Sequence, residues 1–338
     1  MLEADKLGKM GWWLDKYDNV GVVEDREKRH LDELAAKQPA LMTMQAPKVP
    51  VQATMDRMVG LMKKDGIEDG VDLRYLEKMV YGDFLRWKAQ IIGSCVASGG
   101  GRAVHARTLV EVALLGQLEK THGQKIIGRD NAATWMPYNY GAGRWIGGLR
   151  GGDGSFCGAH IQGLQKYGTV RCDTSGLQSD AFPETQSSSL YRRWGDDRNL
   201  IRQFEDEGTK YRLTESVRCR SFNAVKEQLC VHLKPLMICS SYGFQPWKKH
   251  STWESNGSSV YIYKRSGSWA HNMTLIGCVL VDGEWYLIVR NSWGPTAHRG
   301  RDWFAINQST ADNWLRQSGT VAMTIGELDL PDVERIAI

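Results

Sequence analysis

No stretch of this chain reaches the roughly 18 apolar residues that span a bilayer, so a membrane is not an expected partner. The opening MLEADKLGKMGWWLDKYD has no apolar core of the kind a signal peptide uses. The expected location is therefore the cytosol, or a particle packaged from it. None of the seven cysteines (95, 157, 172, 219, 230, 239 and 278) belongs to a Cys-x-x-Cys pair. Such scatter predicts neither a zinc ribbon nor a regular disulfide framework, and it calls for no metal or cofactor. Most of these cysteines read as small buried hydrophobes. Stripes of Lys and Arg are missing too: 43 basic residues against 39 acidic ones leave a net charge of +4. With no aromatic-basic motif either, nucleic acid is not an expected partner. No internal repeat is found.

What is there is an ordinary globular composition, 42% hydrophobic and 24% charged, so a folded chain is expected. Residues 1–84 read as an N-terminal extension. Within it, Glu24 to Lys37 is charged and helical in character, and the Pro-containing AKQPALMTMQAPKVPVQ follows as a linker. Met55, Met58, Val59 and Met62 then fall at i, i+3, i+4 and i+7, and Leu73, Leu76 and Val80 at i, i+3 and i+7. That is the spacing of one helix face. Such stripes need a cover, either the chain's own main domain or a protein partner.

Residues 85–338 read as one continuous domain. The spacing predicts a helix over 102–120, preceded by the small-residue run Ala97-Ser98-Gly99-Gly100-Gly101. A second helix is predicted over 157–167, closed by Gly168 as a C-terminal cap. Residues 173–200, rich in Ser, Asp and Gly, read as loop; strands are predicted at 235–241, 259–264, 272–281 and 284–291. Helices first and strands later predict an α+β protein rather than a doubly wound sheet.

Asp282-Gly283 between two apolar runs is a strong hairpin signal. It returns the far ends of the hairpin, His271 and Asn291, to the same sheet edge. A two-residue turn would set Asn291 opposite Thr274 and point His271 to the other face of the sheet. A three-residue bulged loop, with Gly283 at positive φ, would put both on one face. The bulged loop is the prediction if the two act together. A histidine held by an amide is half of a catalytic apparatus, and a nucleophile is the other half. Cys95, at the mouth of a predicted helix, is the cysteine whose context supplies one: a helix N-terminus favours negative charge, and a neighbouring imidazolium lowers a thiol pKa much further. His105 lies ten residues along that helix, about 15 Å away at about 1.5 Å per residue, too far to serve as the base.

These residues resemble a known family. Gly93-Ser94-Cys95 before a helix, Trp269-Ala270-His271 opening a strand, and Arg290-Asn291-Ser292-Trp293-Gly294 are similar to the nucleophile, histidine and Asn-Ser-Trp-Gly segments of papain-like cysteine peptidases. Gly154-Ser155 ahead of CGAHIQGLQKYG stands where that family has a Gly-Gly pair. The order Cys, His, Asn agrees. Cys95 and His271 are 176 residues apart, more than the roughly 130–150 usual there, and 173–230 can hold the surplus. The resemblance covers roughly 85–326.

It implies a two-lobed α+β fold, one lobe helical and one β-barrel-like, with thiol and imidazole facing across a cleft. Cys95 would be the nucleophile, His271 its base and Asn291 the orienting amide, with an acyl-enzyme intermediate on a polypeptide substrate. Trp293 would shield the His–Asn contact, and Gly154, Ser155, Ala270 and Trp293 would meet the substrate. The family's oxyanion-hole Gln stands six positions before the Cys, where this chain has Ala89; Gln90, five before, takes the role only over a shortened backbone path. Val96 replaces the usual aromatic after the nucleophile, and Ile92 replaces a cysteine bonded in secreted members. Two classes of function follow: a thiol endopeptidase, or a papain-like structural or docking subunit of a larger assembly, such as a phage or viral particle, anchored by 1–84.

Overall fold

The Asp282-Gly283 turn closes as expected, but its geometry differs from the expectation. In the computed structural model, which describes residues 28–29, 32–33, 52–90, 92–111, 134–177 and 187–328, both turn residues have positive φ, 47° at Asp282 and 73° at Gly283. That is the pattern of a two-residue type I′ turn. Val281 pairs with Glu284 and Gly277 with Ile288; beyond a bulge at Ile276, Leu275 pairs with Val289 and Thr274 with Arg290. The one-residue slip expected in the loop therefore occurs inside the strand. A bulge adds the extra residue equally well, and it turns His271 onto the face of Asn291.

The hairpin strands belong to a seven-stranded sheet in which every pairing but one is antiparallel. In chain order the strands are β1 (Asp69–Asp72), β2 (Arg218–Cys219), β3 (Leu236–Ser255), β4 (Ser258–Val281), β5 (Glu284–Arg290), β6 (Trp303–Asn307) and β7 (Val321–Thr324). The path runs β2-β7-β3-β4-β5-β6, with β1 on β4. β4 is long enough that its early part meets β6, through Ile262 and Ala305, while its later part pairs with β5. The sheet thus curls toward closure, as the resemblance implied.

The helices are α1 (Gln52–Lys64), α2 (Arg74–Tyr81), α3 (Cys95–Leu109), α4 (Met136–Ile146), α5 (Cys157–Tyr167), α6 (Ser188–Asp196), α7 (Arg198–Gln203), α8 (Glu205–Gly208), α9 (Phe222–Cys230) and α10 (Gln308–Leu315). The fold is α+β, with an aromatic core under α4–α7 (Trp135, Tyr138, Tyr140, Trp194) on one side and the sheet core on the other. Between them lies a cluster with Cys95, Val96, Cys157, Met237, Cys239 and Ala270.

α3 starts at Cys95, earlier than the predicted residue 102, and residues 112–120 lie outside the described ones. The small-residue run is inside the helix. A glycine weakens a helix by about 1 kcal/mol, but here close packing requires it. A Cβ on Gly99 would fall 1.7 Å from Asn272 Oδ1, and one on Gly100 2.2 Å from His160 Nε2. Tertiary approach outweighs propensity. Within 173–200, predicted as loop, the chain forms α6 and the first half of α7, capped by the side chains of Ser187 and Asp197. α5 matches its expected bounds, and Gly168 closes it at φ 67°.

The apolar stripes of the N-terminal segment are covered by the chain itself. Met58, Met62, Leu73 and Leu76 pack with Trp253, Ile262 and Val279, and β1 pairs with Gly277–Leu280 of β4. The expected helix at Glu24–Lys37 and the linker lie almost wholly outside the described residues. The cysteine reading needs one correction. Cys157 on α5 and Cys239 on β3 form a disulfide across the two lobes, leaving 95, 172, 219, 230 and 278 as free thiols. Their separation of 82 residues is set by topology, which spacing in the sequence does not display.

Candidate active site

Cys95 sits at the first turn of α3, fully buried. Its sulfur accepts the backbone N–H of Asn272 at 3.4 Å, so the thiol lies one peptide unit from His271. On β4, His271 is also fully buried, and its Nε2 lies 2.7 Å from Asn291 Oδ1. Which amide atom faces the ring follows from chemistry. The Ser292 N–H, which can only donate, reaches the same atom at 2.6 Å, so that atom is the oxygen. His271 Nε2 must then carry a proton and donate it. Its Nδ1 is left with a bare lone pair and has no hydrogen-bond partner among the described residues.

Asn291 is held from several sides. Its N–H donates to the Asp302 carbonyl at 2.7 Å, and its own carbonyl accepts from Arg102 on α3. On the back of the amide, Nδ2 lies 2.9 Å from His298 Nε2. Beside Asn291, Arg290 forms a buried two-pronged pair with Glu77 of α2, at 2.5 and 2.8 Å, and lies 3.3 Å from Asp302. Arg102, Glu77, Asn272 and His298 escaped the sequence reading. Only His298, in a polar loop seven residues after Asn291, carried a visible signal.

Gln90 is stapled to the Asn-Ser-Trp-Gly segment. Its N–H donates to the Ser292 carbonyl at 2.8 Å, its Oε1 accepts from Ser292 Oγ, and its Nε2 donates to the Ile92 carbonyl at 3.2 Å. One of its two amide hydrogens is thus committed. Trp293, half-buried, stacks obliquely over His271 with ring centres 5.0 Å apart and meets Trp269 at 4.5 Å. Ala270 packs in the inter-lobe core. Gly154 and Ser155 stand just ahead of α5. The Gly154 N–H goes to Tyr140 Oη at 3.2 Å and its carbonyl accepts from Arg144 at 2.8 Å; Ser155 is buried. Both partners lie on α4, so the Gly154 backbone is engaged within the helical lobe.

Burial keeps the pair neutral. It pushes the Cys95 thiol up to about 12, against the opposing N–H groups of Asn272, Val96 and Cys95 itself. Burial also lowers His271 to about 4, although the Asn291 bond favours its charged form. Thiolate and imidazolium, expected from a helix mouth beside a histidine, are disfavoured while the site stays closed.

Three buried histidines make stability depend on pH. Burial lowers His160 and His271 to about 4 and His298 to about 3, against about 6.5 in an unfolded chain. Between these values the unfolded chain binds more protons. Stability is therefore full above about pH 6.5 and falls as the pH drops toward the folded values, by up to roughly 4 kcal/mol per pH unit when all three protons count. The urea midpoint is expected to be clearly lower at pH 5 than at pH 7; equal midpoints would mean that these rings titrate alike in both states.

No protein-family model matches the chain, and no curated protein matches it either. Among solved structures it is similar to xylellain, a cysteine protease from Xylella fastidiosa, at 15% identity and TM-score 0.47, over 82% of this chain and 90% of that one. It is also similar to proCathepsin B S9 from Trypanosoma congolense, at 10% identity and TM-score 0.48, over 95% and 87%. For digestive procathepsin L 3 of Tenebrio molitor larval midgut the values are 11% and 0.43, over 91% and 93%.

Proposed function

We propose that the chain is a thiol-dependent peptide hydrolase of the papain-like kind, an endopeptidase acting through Cys95, His271 and Asn291. The observation that carries this reading is the convergence of a thiol at a helix mouth with a histidine whose far nitrogen is tied to a buried amide. His271 Nδ1 takes the proton of Cys95, and the sulfur attacks the peptide carbonyl carbon. The oxyanion meets the Cys95 N–H and the side-chain amide of Gln90; one such donor is worth about 2.7–4 kcal/mol. Collapse of the tetrahedral species breaks the C–N bond, and His271 gives its proton to the leaving amine. Water, activated by the same ring, then hydrolyses the thioester.

Substrate reaches a buried sulfur only if the lobes part. Parting also rehydrates the pair and removes the burial that holds it neutral, so thiolate and imidazolium form as the cleft opens. The test is incubation with an epoxysuccinyl peptide inhibitor at pH 6 and mapping of adducts by mass. The adduct is expected at Cys95 well ahead of the other free thiols, together with turnover of peptide substrates. Equal, slow labelling of all thiols would leave the reading without support.

A second reading has two observations in its favour. The thiol is closed off and neutral, and the Gly154 backbone is spent internally, as suits a papain-like subunit kept for docking. No adduct at Cys95, with assembly intact in Cys95→Ala, is the result that favours it.

A further inference from the structure

We infer that His298 is a positioning residue of this site, fixing the amide of Asn291 with its oxygen toward His271. The inference rests on the hydrolase reading for its rate effects, but its geometry stands alone. Asn291 Oδ1 is placed by the Ser292 N–H, so Nδ2 points to the opposite side, where His298 Nε2 lies 2.9 Å away. Nδ2 can only donate. His298 Nε2 must therefore accept, which makes it the bare nitrogen and puts the ring hydrogen on Nδ1.

A chain of two bonds results: Asn291 Nδ2–H to His298, and His271 Nε2–H to Asn291 Oδ1. Each bond fixes the sense of the other. Rotating the amide by half a turn would set its NH₂ against the Nε2–H of His271 and its oxygen against the bare nitrogen of His298. Both contacts would then repel.

The surroundings hold His298 in this role. Its ring stacks on Trp293 with centres 6.0 Å apart and packs on Phe304 at 4.7 Å and Tyr263 at 5.3 Å. The loop turns it inward, closed by the His298 N–H to the Arg301 carbonyl at 2.9 Å and by positive φ at Arg299 and Gly300. Burial keeps the ring neutral, with its pKa lowered to about 3, so Nε2 stays able to accept across ordinary pH. Were His298 absent, Nδ2 would lose this acceptor, and the Ser292 N–H alone would be left to set the sense of the amide.

Two substitutions separate an acceptor from a packing ring. His298→Phe keeps the ring and removes the acceptor; His298→Gln gives up the ring and keeps an oxygen that can accept from Nδ2. With the full chain and a peptide substrate, His298→Phe is expected to lower kcat about tenfold, equivalent to about 1.4 kcal/mol, with KM little changed. His298→Gln is expected to recover most of that rate. A benign Phe with a damaging Gln, or equal losses in both, would overturn the positioning role. A second readout does not need activity: ¹⁵N NMR of the histidine rings should show His271 as the Nε2–H tautomer in the wild type and a mixture in His298→Phe. An unchanged tautomer would overturn the proposal. A wild-type protein inert to substrate and to the epoxide, yet showing that tautomer shift, would sink the hydrolase reading and leave the positioning role supported.

Discussion

Cys95→Ala is expected to lower peptide turnover by on the order of 10⁴-fold or more, because no other group in the site can form the acyl intermediate. The five free thiols include no substitute beside His271: only Cys95 accepts a hydrogen bond from the residue next to that ring. The change is small for the fold. One sulfur is lost from a packed position, and the Asn272 N–H loses its acceptor, an effect on the order of 1–3 kcal/mol. Turnover and thermal unfolding measured on the same preparation separate the two effects. A folded Cys95→Ala protein that still cleaves peptide at a tenth of the wild-type rate would exclude the sulfur as nucleophile.

Glu77→Ala acts through the fold instead. Arg290 and Glu77 are each about 1% exposed and joined by two bonds, and Glu77 also accepts the Leu85 N–H at 3.2 Å. The pair holds Glu77 well below its ordinary pKa despite burial, with the Arg290 charge as the opposing cause. Removing one partner of a buried pair leaves the other charge uncompensated, at a cost of about 3–5 kcal/mol. Asp302, at 3.3 Å from Arg290, recovers only part of that. Urea unfolding of the variant should show the loss directly; a change under about 1 kcal/mol would mean that Asp302 alone neutralises the guanidinium. Because Arg290 adjoins Asn291, the same variant is expected to lose activity before it loses its fold.

Where chemistry sits on a local signal, the sequence was readable. The Asp-Gly turn told that His271 and Asn291 return to one edge, and Gly168 told where α5 ends. The register failed in its detail because a bulge at Ile276 and a bulged loop shift the pairing identically, and only the backbone distinguishes them. The glycine run of α3 misled because its cause lies elsewhere in the chain, in Asn272, His160 and Met136, which need the space a side chain would fill. The same holds for Glu77 on Arg290 and Arg102 on Asn291, pairs separated by 213 and 189 residues. Charged residues at those positions look like a solvated surface until topology buries them together. Gln90 is visible in the sequence by its place five residues before Cys95, whereas its attachment to Ser292 emerges only from the fold. Nothing local marks Tyr140 and Arg144 as the partners of the Gly154 backbone.

The pairing of sulfur and ring is most directly tested by the rate of iodoacetamide addition to Cys95 at pH 6, in the wild type and in His271→Ala. An imidazole able to take the thiol proton raises the thiolate fraction, so the substitution is expected to slow addition by on the order of a hundredfold, with the other free thiols unaffected. Identical rates at Cys95 in both proteins would show that the ring does not act on the sulfur, and the proposed chemistry would fall with it.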